Sequence, residues 1–554
     1  MAKLTNKQMF KLTRDLQNSL TKIPEGVSKE QYKNFVLAYE GENSVNYMVS
    51  FFDFVRSFDN LYEAQYALDN LQDADKKPLI SGDIVLSEPE KVKANRFVLT
   101  SAQNNTEVHT EFFKALKSYC KINNAELLIG KYTYNKNGFQ KSETSDDGIH
   151  YAPELLKYFN TSELELCEGL TWCGQLNILP TVKNPLTGFE SLTKGSSFIV
   201  PHAKISLESI ATAKNKAAKL GYSTGTLTLH NYIQKKAGQI AQHHHCYGAL
   251  IVEISDDGLW YVRQVQTDTT GIFQDLKTVY LPNGKTKKGN IEAINWGDIH
   301  AEKIDLSVLE ACTAMLKDFK PKNQLFHDLF DMQARNHHNR KSGRFLAKMH
   351  FDNLSSVRDD IIQANDVLSD FDIQGSTKYI VESNHDLALE SWLDSNDYDF
   401  KSDPINALTY LALQTYVYEQ LEAGEEPQVL KFALTDFIGS KLNNTKFLMT
   451  DESLVIAGVE CGMHGHLGTN GSRGSPQQFQ KLNTPLNTGH THAASIKGGV
   501  YTAGVTGSFN MGYNKGAGSW SHSHILTYPS GFRTIITMQQ KADVGEGGEW
   551  EYKA

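Results

Sequence analysis

The sequence predicts an α/β protein with several domains. Its 554 residues exceed the usual length of a single domain. Apolar residues make up 40% of the chain and aromatic residues 10%, which is enough to bury real cores and excludes a disordered chain. Short apolar runs alternate with segments of helical periodicity, and polar residues follow several of these runs directly. This alternation is typical of strands that are connected by helices.

Residues 1–75 are predicted to form a helical N-terminal domain. Apolar and aromatic residues recur there at roughly helical spacing, with charged residues between them. A small domain that packs its own core is the preferred interpretation. A helix-turn-helix that docks on DNA is the alternative, which is disfavoured by the acidic residues Glu40, Glu42, Asp53, Asp59 and Glu63.

Residues 76–290 are predicted to form an α/β accessory domain, with strands at 96–100, 126–129, 197–200, 249–254 and 260–265. A helix over 111–121 lies between the first two strands, so these strands are expected to pair in parallel. The polar residues 101–106 either bind a ligand or cap this helix, and capping is preferred. The turn-rich residues 281–290 are interpreted as a linker.

The cysteines and the lengths of the apolar runs indicate the cellular compartment of the protein. Six cysteines are scattered along the chain, as expected for a reducing environment. The tract from His243 to Cys246 carries metal-ligand types, but it leads directly into a predicted strand, so a polar loop is preferred to a zinc site. No run approaches the roughly 20 apolar residues that cross a bilayer, and the N-terminus lacks a secretory apolar segment. A cytoplasmic location without a membrane partner is expected.

Five stretches in the second half of the chain are rich in Asp, His and Asn, and nearly all follow a short apolar run. They are Asn295–His300, His327–Asp331, Ser383–Asp386, Met463–His466 and Gly489–His492. Side chains that follow successive strands converge on one edge of a sheet. Oxygen and imidazole donors without a thiolate suit a divalent metal ion. The sequence therefore predicts a metal site at a sheet edge.

In this order, the five stretches resemble the motifs of the calcineurin-like metallophosphoesterase family. The resemblance covers about residues 291–538, and Gly489-His490-Thr491-His492 is its most specific part. His327 and Ser383 depart from the family pattern, because each stands where a glycine is usual. Neither is a ligand position, so the departures concern turn geometry. The resemblance implies a four-layer αββα sandwich over 291–540, followed by a tail at 541–554.

The resemblance also implies a pair of divalent metal ions. The implied ligands of the first ion are Asp298, His300 and His492. The implied ligands of the second ion are Asn384, His464 and His490, with His466 as the alternative to His464. Asp328 is implied to bridge both ions. Mn²⁺ is the favoured ion, and Mg²⁺, iron and Zn²⁺ are the alternatives.

Two further residues are assigned catalytic roles by the resemblance. His385 stands next to the ligand Asn384, faces the substrate, and donates a proton to the leaving oxygen or stabilises its charge. Asp386 is expected to orient His385. The implied reaction is hydrolysis of a phosphoester with the help of two metals.

The substrate is predicted from basic residues close to these motifs. The formal net charge of −9 argues against a protein that coats nucleic acid non-specifically, but a local basic patch can still bind DNA. The predicted substrate-binding residues are Arg335, Arg340, Lys341, Arg344 and Arg473. A solvated helix face is the alternative interpretation of the basic run at 335–348. Ser519–His524 could rim the site and present Trp520 to a base.

The overall arrangement resembles the SbcD-type DNA nuclease branch of the family, including large phage-encoded members that degrade the host chromosome. A metal-dependent deoxyribonuclease acting in the host cytoplasm is therefore expected. The alternatives are a phosphatase or phosphodiesterase on smaller substrates and a non-catalytic DNA-binding takeover factor. Predicted helices at 355–371 and 407–423 are interpreted as lids or assembly surfaces, and a homo-oligomer is expected.

Overall fold

The computed structural model describes residues 94–134, 150–213, 218–333, 335–336, 339–395, 398–541 and 549–553. The predicted helical domain at 1–75 lies outside these residues. Within the described ranges, no helix combines the length and the apolar character that spanning a bilayer requires.

Strands and helices alternate through the described part of the chain. Strands β1 to β25 span, in order, Arg96–Gln103, Glu126–Tyr132, Glu163–Cys167, Leu170–Cys173, Ser197–Val200, His202–Ile210, Lys219–Gly225, Gly248–Ile254, Trp260–Gln266, Phe273–Asp275, Thr278–Tyr280, Thr286–Lys288, Ala293–Asn295, Asn323–Phe326, Thr377–Val381, Thr445–Leu448, Val455–Ile456, Val459–Glu460, Leu486–Thr488, Ser495–Lys497, Val500–Thr502, Ser523–Thr527, Arg533–Thr537, Gln539–Gln540 and Trp550–Glu551. Helices α1 to α9 span, in order, Thr110–Asn123, Lys236–His243, Leu306–Phe319, Gly343–Phe351, Val357–Asp370, Ala388–Asp394, Ala407–Ala423, Val429–Phe432 and Pro476–Phe479.

A four-stranded sheet in the order β2–β1–β8–β9 carries α1 on one face. β1 and β2 pair in parallel, which confirms the prediction from the intervening helix. The helix cap differs from the prediction, because His109 Nδ1 accepts a hydrogen bond from Phe112 N at 3.2 Å. Asn104 and Asn105 instead accept backbone N–H groups of Tyr134 and His150. The 101–106 loop therefore holds its neighbouring segments rather than the helix.

A six-stranded sheet in the order β16–β15–β14–β13–β22–β23 forms the centre of the second half of the chain. β13 to β16 run parallel to one another, and β22 pairs antiparallel with β13. Ile294, Phe326 and Ile380 on one face pack with α3 and α5. Asp305 caps α3 by accepting from Ser307 N at 3.0 Å, an interaction typically contributing ~1 kcal/mol.

A ten-stranded sheet joins the two predicted regions 76–290 and 291–540. Its order is β17–β18–β19–β21–β20–β6–β7–β5–β4–β3, and Ile496 of β20 faces Leu207 of β6 across the junction. Leu325 and Val381 on the second face of the six-stranded sheet pack against Val459 of β18. The described layers are thus helices, a six-stranded sheet and a ten-stranded sheet. The four-layer sandwich stays a prediction.

Three segments without a predicted helix or strand are locally ordered. Residues 281–290 include β12, which forms a hairpin with β11, because Gly284 provides the positive φ of the turn. Trp550 and Glu551 form β25 against β24, and the Trp550 ring packs on His522. The tract at 243–246 ends α2, and His245 hydrogen-bonds Tyr232 and Thr228, consistent with a structural role.

Candidate metal centre

The predicted ligand stretches meet at one edge, where the two larger sheets face each other. β13 is followed by Asp298 and His300, β14 by Asp328, and β15 by Asn384 and His385. The ten-stranded sheet contributes His464 after β18 and both His490 and His492 after β19. The carboxyl ends of the parallel strands therefore deliver side chains from distant parts of the sequence to one place.

The backbone turns sharply at the positions that carry the ligands. His300, Asp328, His490 and His492 all have positive φ, with values of 48°, 42°, 73° and 56°. Such values are uncommon for residues other than glycine and often occur at functional sites. Gly489 is required for close approach, because a Cβ atom there would lie 2.1 Å from Asp298 Oδ1. The Gly-His-x-His motif thus fits tightly against the first carboxylate.

The first ligand group consists of Asp298, His300, Asp328 and His492, and all four side chains are buried. One donor atom from each lies within 4.8 Å of the others. His492 Nε2 is 3.1 Å from Asp298 Oδ2 and 3.0 Å from His300 Nε2. His300 Nε2 is 3.7 Å from Asp328 Oδ2. These donors converge on a volume that one cation can fill.

The second ligand group lies on the other side of Asp328. His464 Nε2 is 3.1 Å from Asn384 Oδ1 and 3.4 Å from Asp328 Oδ1. The His490 ring centroid is 5.2 Å from that of His464. The His466 ring lies near both, with centroid distances of 5.3 and 6.3 Å. Because His464 contacts Asn384 and Asp328 directly, the geometry favours His464 over His466 as the ligand.

Several buried polar atoms of the site have no hydrogen-bond partner among the described residues. They are Asp298 Oδ1, Asp328 Oδ2, His300 Nδ1, His464 Nδ1 and His466 Nδ1. Buried polar atoms in folded proteins are nearly always satisfied by protein groups, ordered water or a bound ion. Oxygen and imidazole donors in this arrangement fit a divalent cation. The donor set is therefore suited to metal binding.

The charges of the site indicate the same affinity for cations. Burial opposes ionisation of Asp328, yet the neighbouring imidazoles hold its pKa well below the usual value. Burial also disfavours protonation of His492, but Asp298 and Asp328 outweigh it and raise the pKa of His492 to about 9. Burial lowers the pKa of His464 to about 3, which leaves its imidazole neutral and able to coordinate a metal.

His385 is paired with a carboxylate at the mouth of the site. Its Nδ1 atom forms a short hydrogen bond with Asp331 Oδ1. Burial favours the neutral imidazole, but Asp328 and the hydrogen bond with Asp331 raise the pKa of His385 to about 10. The neighbouring carboxylates therefore favour the protonated imidazole of His385.

The carboxylate that orients His385 is Asp331 and not Asp386, which corrects the assignment made from the sequence. Asp386 accepts hydrogen bonds from Phe330 N at 2.9 Å and from the Ser383 hydroxyl at 2.8 Å. Burial and the nearby Asp328 charge raise the pKa of Asp386 to about 8. Asp386 thus holds together the turns that carry the ligands.

Glu302 is a supporting residue that the sequence motifs did not indicate. Its carboxylate accepts hydrogen bonds from Asp331 N at 3.0 Å and from Met332 N at 2.8 Å. These bonds fix the turn that presents Asp331 to His385. Glu302 lies two residues beyond His300, and this proximity is the only signal that the sequence offers.

Arg335 is not presented to a substrate, which corrects a second assignment. Its side chain is 11% exposed, and its Nε and Nη2 atoms donate to Asp403 at 2.6 and 2.7 Å. Arg340 donates to Ser391 O at 3.1 Å and is also partly buried. The first two residues of the predicted basic patch therefore stabilise the fold.

Lys341, Arg344 and Arg473 are exposed at the surface. Lys341 precedes α4 by two residues, and Arg344 lies in its first turn. Arg473 pairs with Leu467 in an isolated β-bridge, and its charge is among the causes that lower the pKa of His490, after burial. These three side chains are the described part of the predicted patch that can contact an anionic partner.

The stretch 519–524 is divided between the core and the rim of the site. His524 is buried and its Nδ1 accepts a hydrogen bond from Gly297 N at 3.0 Å. Trp520 is half-buried, and its ring centroid is 4.3 Å from that of His492. Tyr513, from the preceding loop, stacks 6.5 Å from His385. Trp520 thus lies beside the candidate ligand His492, and its contact with a base stays a prediction.

Comparison with known proteins relates the chain to a phage protein. It is 44% identical over 484 residues to Protein A1 of Escherichia phage T5, across 84% of this chain and 86% of that protein. No protein-family model and no solved structure matches the chain. At this identity and coverage, the chain belongs to the family of the phage T5 Protein A1.

Proposed function

We propose that the chain is a metal-dependent deoxyribonuclease that hydrolyses DNA phosphodiester bonds. The observation that carries the proposal is the position of Asp328, which lies between a buried group and a partly buried group of oxygen and imidazole donors. A carboxylate shared in this way suits a pair of cations. Membership of a phage family supports a role in infection, and degradation of host DNA in the host cytoplasm is the role we propose.

The residues that would hold the cations form two sets around Asp328. The first set is Asp298, His300 and His492, and the second is Asn384, His464 and His490. Two divalent ions, for which Mn²⁺ is our choice, would supply activation of water and neutralisation of charge at the phosphoester. Asn384 contributes an oxygen without adding charge to a site that already contains two buried carboxylates.

The protein's own residues supply the proton for the leaving group. Asp331 accepts a hydrogen bond from the Nδ1–H group of His385 and keeps the imidazolium oriented. The Nε2 proton can then be donated to the departing alkoxide oxygen as its bond to phosphorus breaks. Arg344, Lys341 and Arg473 would attract and position the phosphate backbone, as cationic side chains do in DNA complexes.

A phosphatase or phosphodiesterase acting on smaller substrates is the second candidate. The pairing of Arg335 with Asp403 favours it, because that ion pair removes one cation from the proposed DNA-binding surface. The two candidates share the metal centre and differ only in the size of the substrate. A polymer is preferred because three cationic side chains remain exposed.

The decisive experiment uses circular and linear duplex DNA with Mn²⁺, Mg²⁺ or a chelator. We expect cleavage that requires a divalent ion. Intact DNA together with cleavage of a small aryl phosphate would instead identify the second candidate. His385→Ala should abolish cleavage while metal content is retained, and His350→Ala, which removes an exposed histidine of α4, is the matched control. Unchanged cleavage by His385→Ala would exclude His385 from the mechanism.

A further inference from the structure

The loop between β21 and β22 places an aromatic side chain beside the metal centre. Tyr513 is 54% exposed, so packing in the hydrophobic core does not explain the position of this large ring. It lies between Gly512 and Gly516, both of which have positive φ. The face of the Tyr513 ring is inclined by only 27° to the ring of His385.

The rest of this loop is anchored, so the position of Tyr513 is defined by the fold. Phe509 stacks on the buried His522 at 4.1 Å, and Met511 is itself buried. Asn514 Oδ1 accepts a hydrogen bond from Met511 N at 3.1 Å. Tyr513 is thus held outside the core by neighbours that are fixed inside it.

Trp520 forms a second aromatic surface beside the ligand histidines. Its ring meets His492 edge to face at 4.3 Å, and the centroids of Trp520 and Tyr513 are 6.3 Å apart. The two aromatic rings therefore adjoin the histidine proposed as proton donor and one of the proposed metal ligands. Lys515 is exposed on the same loop and adds a positive charge.

We propose that Tyr513 and Trp520 receive one unstacked base of a DNA strand next to the phosphate that is cleaved. This inference rests on the proposed deoxyribonuclease function and specifies its substrate as single-stranded or locally opened DNA. Every base has a flat face that can stack on an aromatic ring, so the contact does not depend on sequence. In an intact duplex both faces of each base are already covered, and opening the stack costs energy.

The test compares Tyr513→Ala with the wild-type chain, because Trp520 also packs on a proposed ligand. The substrates are an oligothymidine strand, its duplex with oligodeoxyadenosine, and a strand of abasic deoxyribose phosphates of the same length. The wild type should cleave oligothymidine about 5- to 150-fold faster than the abasic strand, the range for loss of one stacking contact. Tyr513→Ala should lose most of the preference for oligothymidine over the abasic strand. It should also lose most of the preference for oligothymidine over the duplex.

Two further variants control for the ring and for exposure. Tyr513→Phe keeps the ring and should restore the preference. Tyr418→Ala removes a tyrosine of α7 that is similarly exposed, at 59%, and should leave the ratio of rates as in the wild type. Equal losses on the base-bearing and abasic strands in Tyr513→Ala would overturn the proposal, as would a wild type that does not distinguish them.

A binding measurement separates this proposal from the nuclease function. The affinity of the full chain for the base-bearing and abasic strands is measured with a chelator present, so that no strand is hydrolysed. A Tyr513-dependent preference in binding supports the aromatic site even if the wild type cleaves no DNA with Mn²⁺. Cleavage without any dependence on Tyr513 or on the base overturns the aromatic site and leaves the nuclease standing.

Discussion

Replacement of Asp331 by asparagine should lower the pH at which activity is lost. Burial favours the neutral imidazole, but Asp328 and the hydrogen bond with Asp331 raise the pKa of His385 above its usual value. If His385 acts as the acid, activity is complete below this pKa and falls as the pH rises through it. Asparagine removes the negative charge and keeps the size of the side chain, so the imidazolium loses support.

The magnitude follows from the character of that hydrogen bond. A hydrogen bond to a charged group contributes about 1.5–3 kcal/mol, and 1.36 kcal/mol corresponds to one pKa unit. The His385 side chain is 16% exposed and that of Asp331 is 3% exposed, so water screens the pair little. The alkaline limit of activity should therefore move about 1–2 pH units toward neutrality in Asp331→Asn.

The assay is a pH profile of kcat/KM for DNA cleavage, with metal content measured on the same samples. Asp386→Asn is the comparison, because Asp386 contacts Phe330 and Ser383 and contributes less to the pKa of His385. A smaller movement is expected in that variant. An alkaline limit that stays in place in Asp331→Asn, with metal content retained, would refute the role of Asp331.

Two further predictions concern stability. Removal of divalent ions by a chelator should lower the melting temperature reversibly, because the carboxylates of Asp298 and Asp328 then remain buried together without a cation. An ion present at 100 times its Kd contributes about 2.7 kcal/mol to the free energy of unfolding. A melting temperature that a chelator does not change in a calorimetric scan would contradict an ion at this site. Arg335→Ala should cost about 3–5 kcal/mol of unfolding free energy, because it leaves the largely buried Asp403 without this cation, and denaturant titration measures the loss. The DNA affinity of Arg335→Ala should depend on salt concentration as in the wild type, whereas Arg344→Ala should reduce the slope of log affinity against log salt concentration by ~1. The reverse result would show that Arg335 contacts DNA.

Periodicity was sufficient to predict many of the regular elements. The strands that begin at Arg96, Glu126 and Ser197 follow the apolar runs, and α7 follows its predicted span of 407–423. These segments succeed because local burial decides their structure. The junction between β20 and β6 was not predictable, because strand pairing between residues almost 300 positions apart leaves no local pattern in either strand.

The cluster of candidate ligands was predictable from the sequence, but the partners that support its members were not. Asp298, Asp328 and His492 occur in short motifs, and the structure brings them together. Asp331 belongs to the same motif as Asp328, yet its contact with His385 depends on a turn with positive φ at Asp328. Likewise, nothing near Arg335 in the sequence reveals Asp403, which is 68 positions away.

The shared ten-stranded sheet has a consequence for dissecting the protein into fragments. Division of the chain near residue 290 would separate β6 from β20, so that β20 would have an unpaired hydrogen-bonding edge. The turn at Gly489 follows β19 of the same sheet, so loss of β6 would also disturb the positions of His490 and His492. A truncated C-terminal half should aggregate rather than behave as a minimal enzyme, and supplying the missing half in trans should rescue it only if both halves fold together.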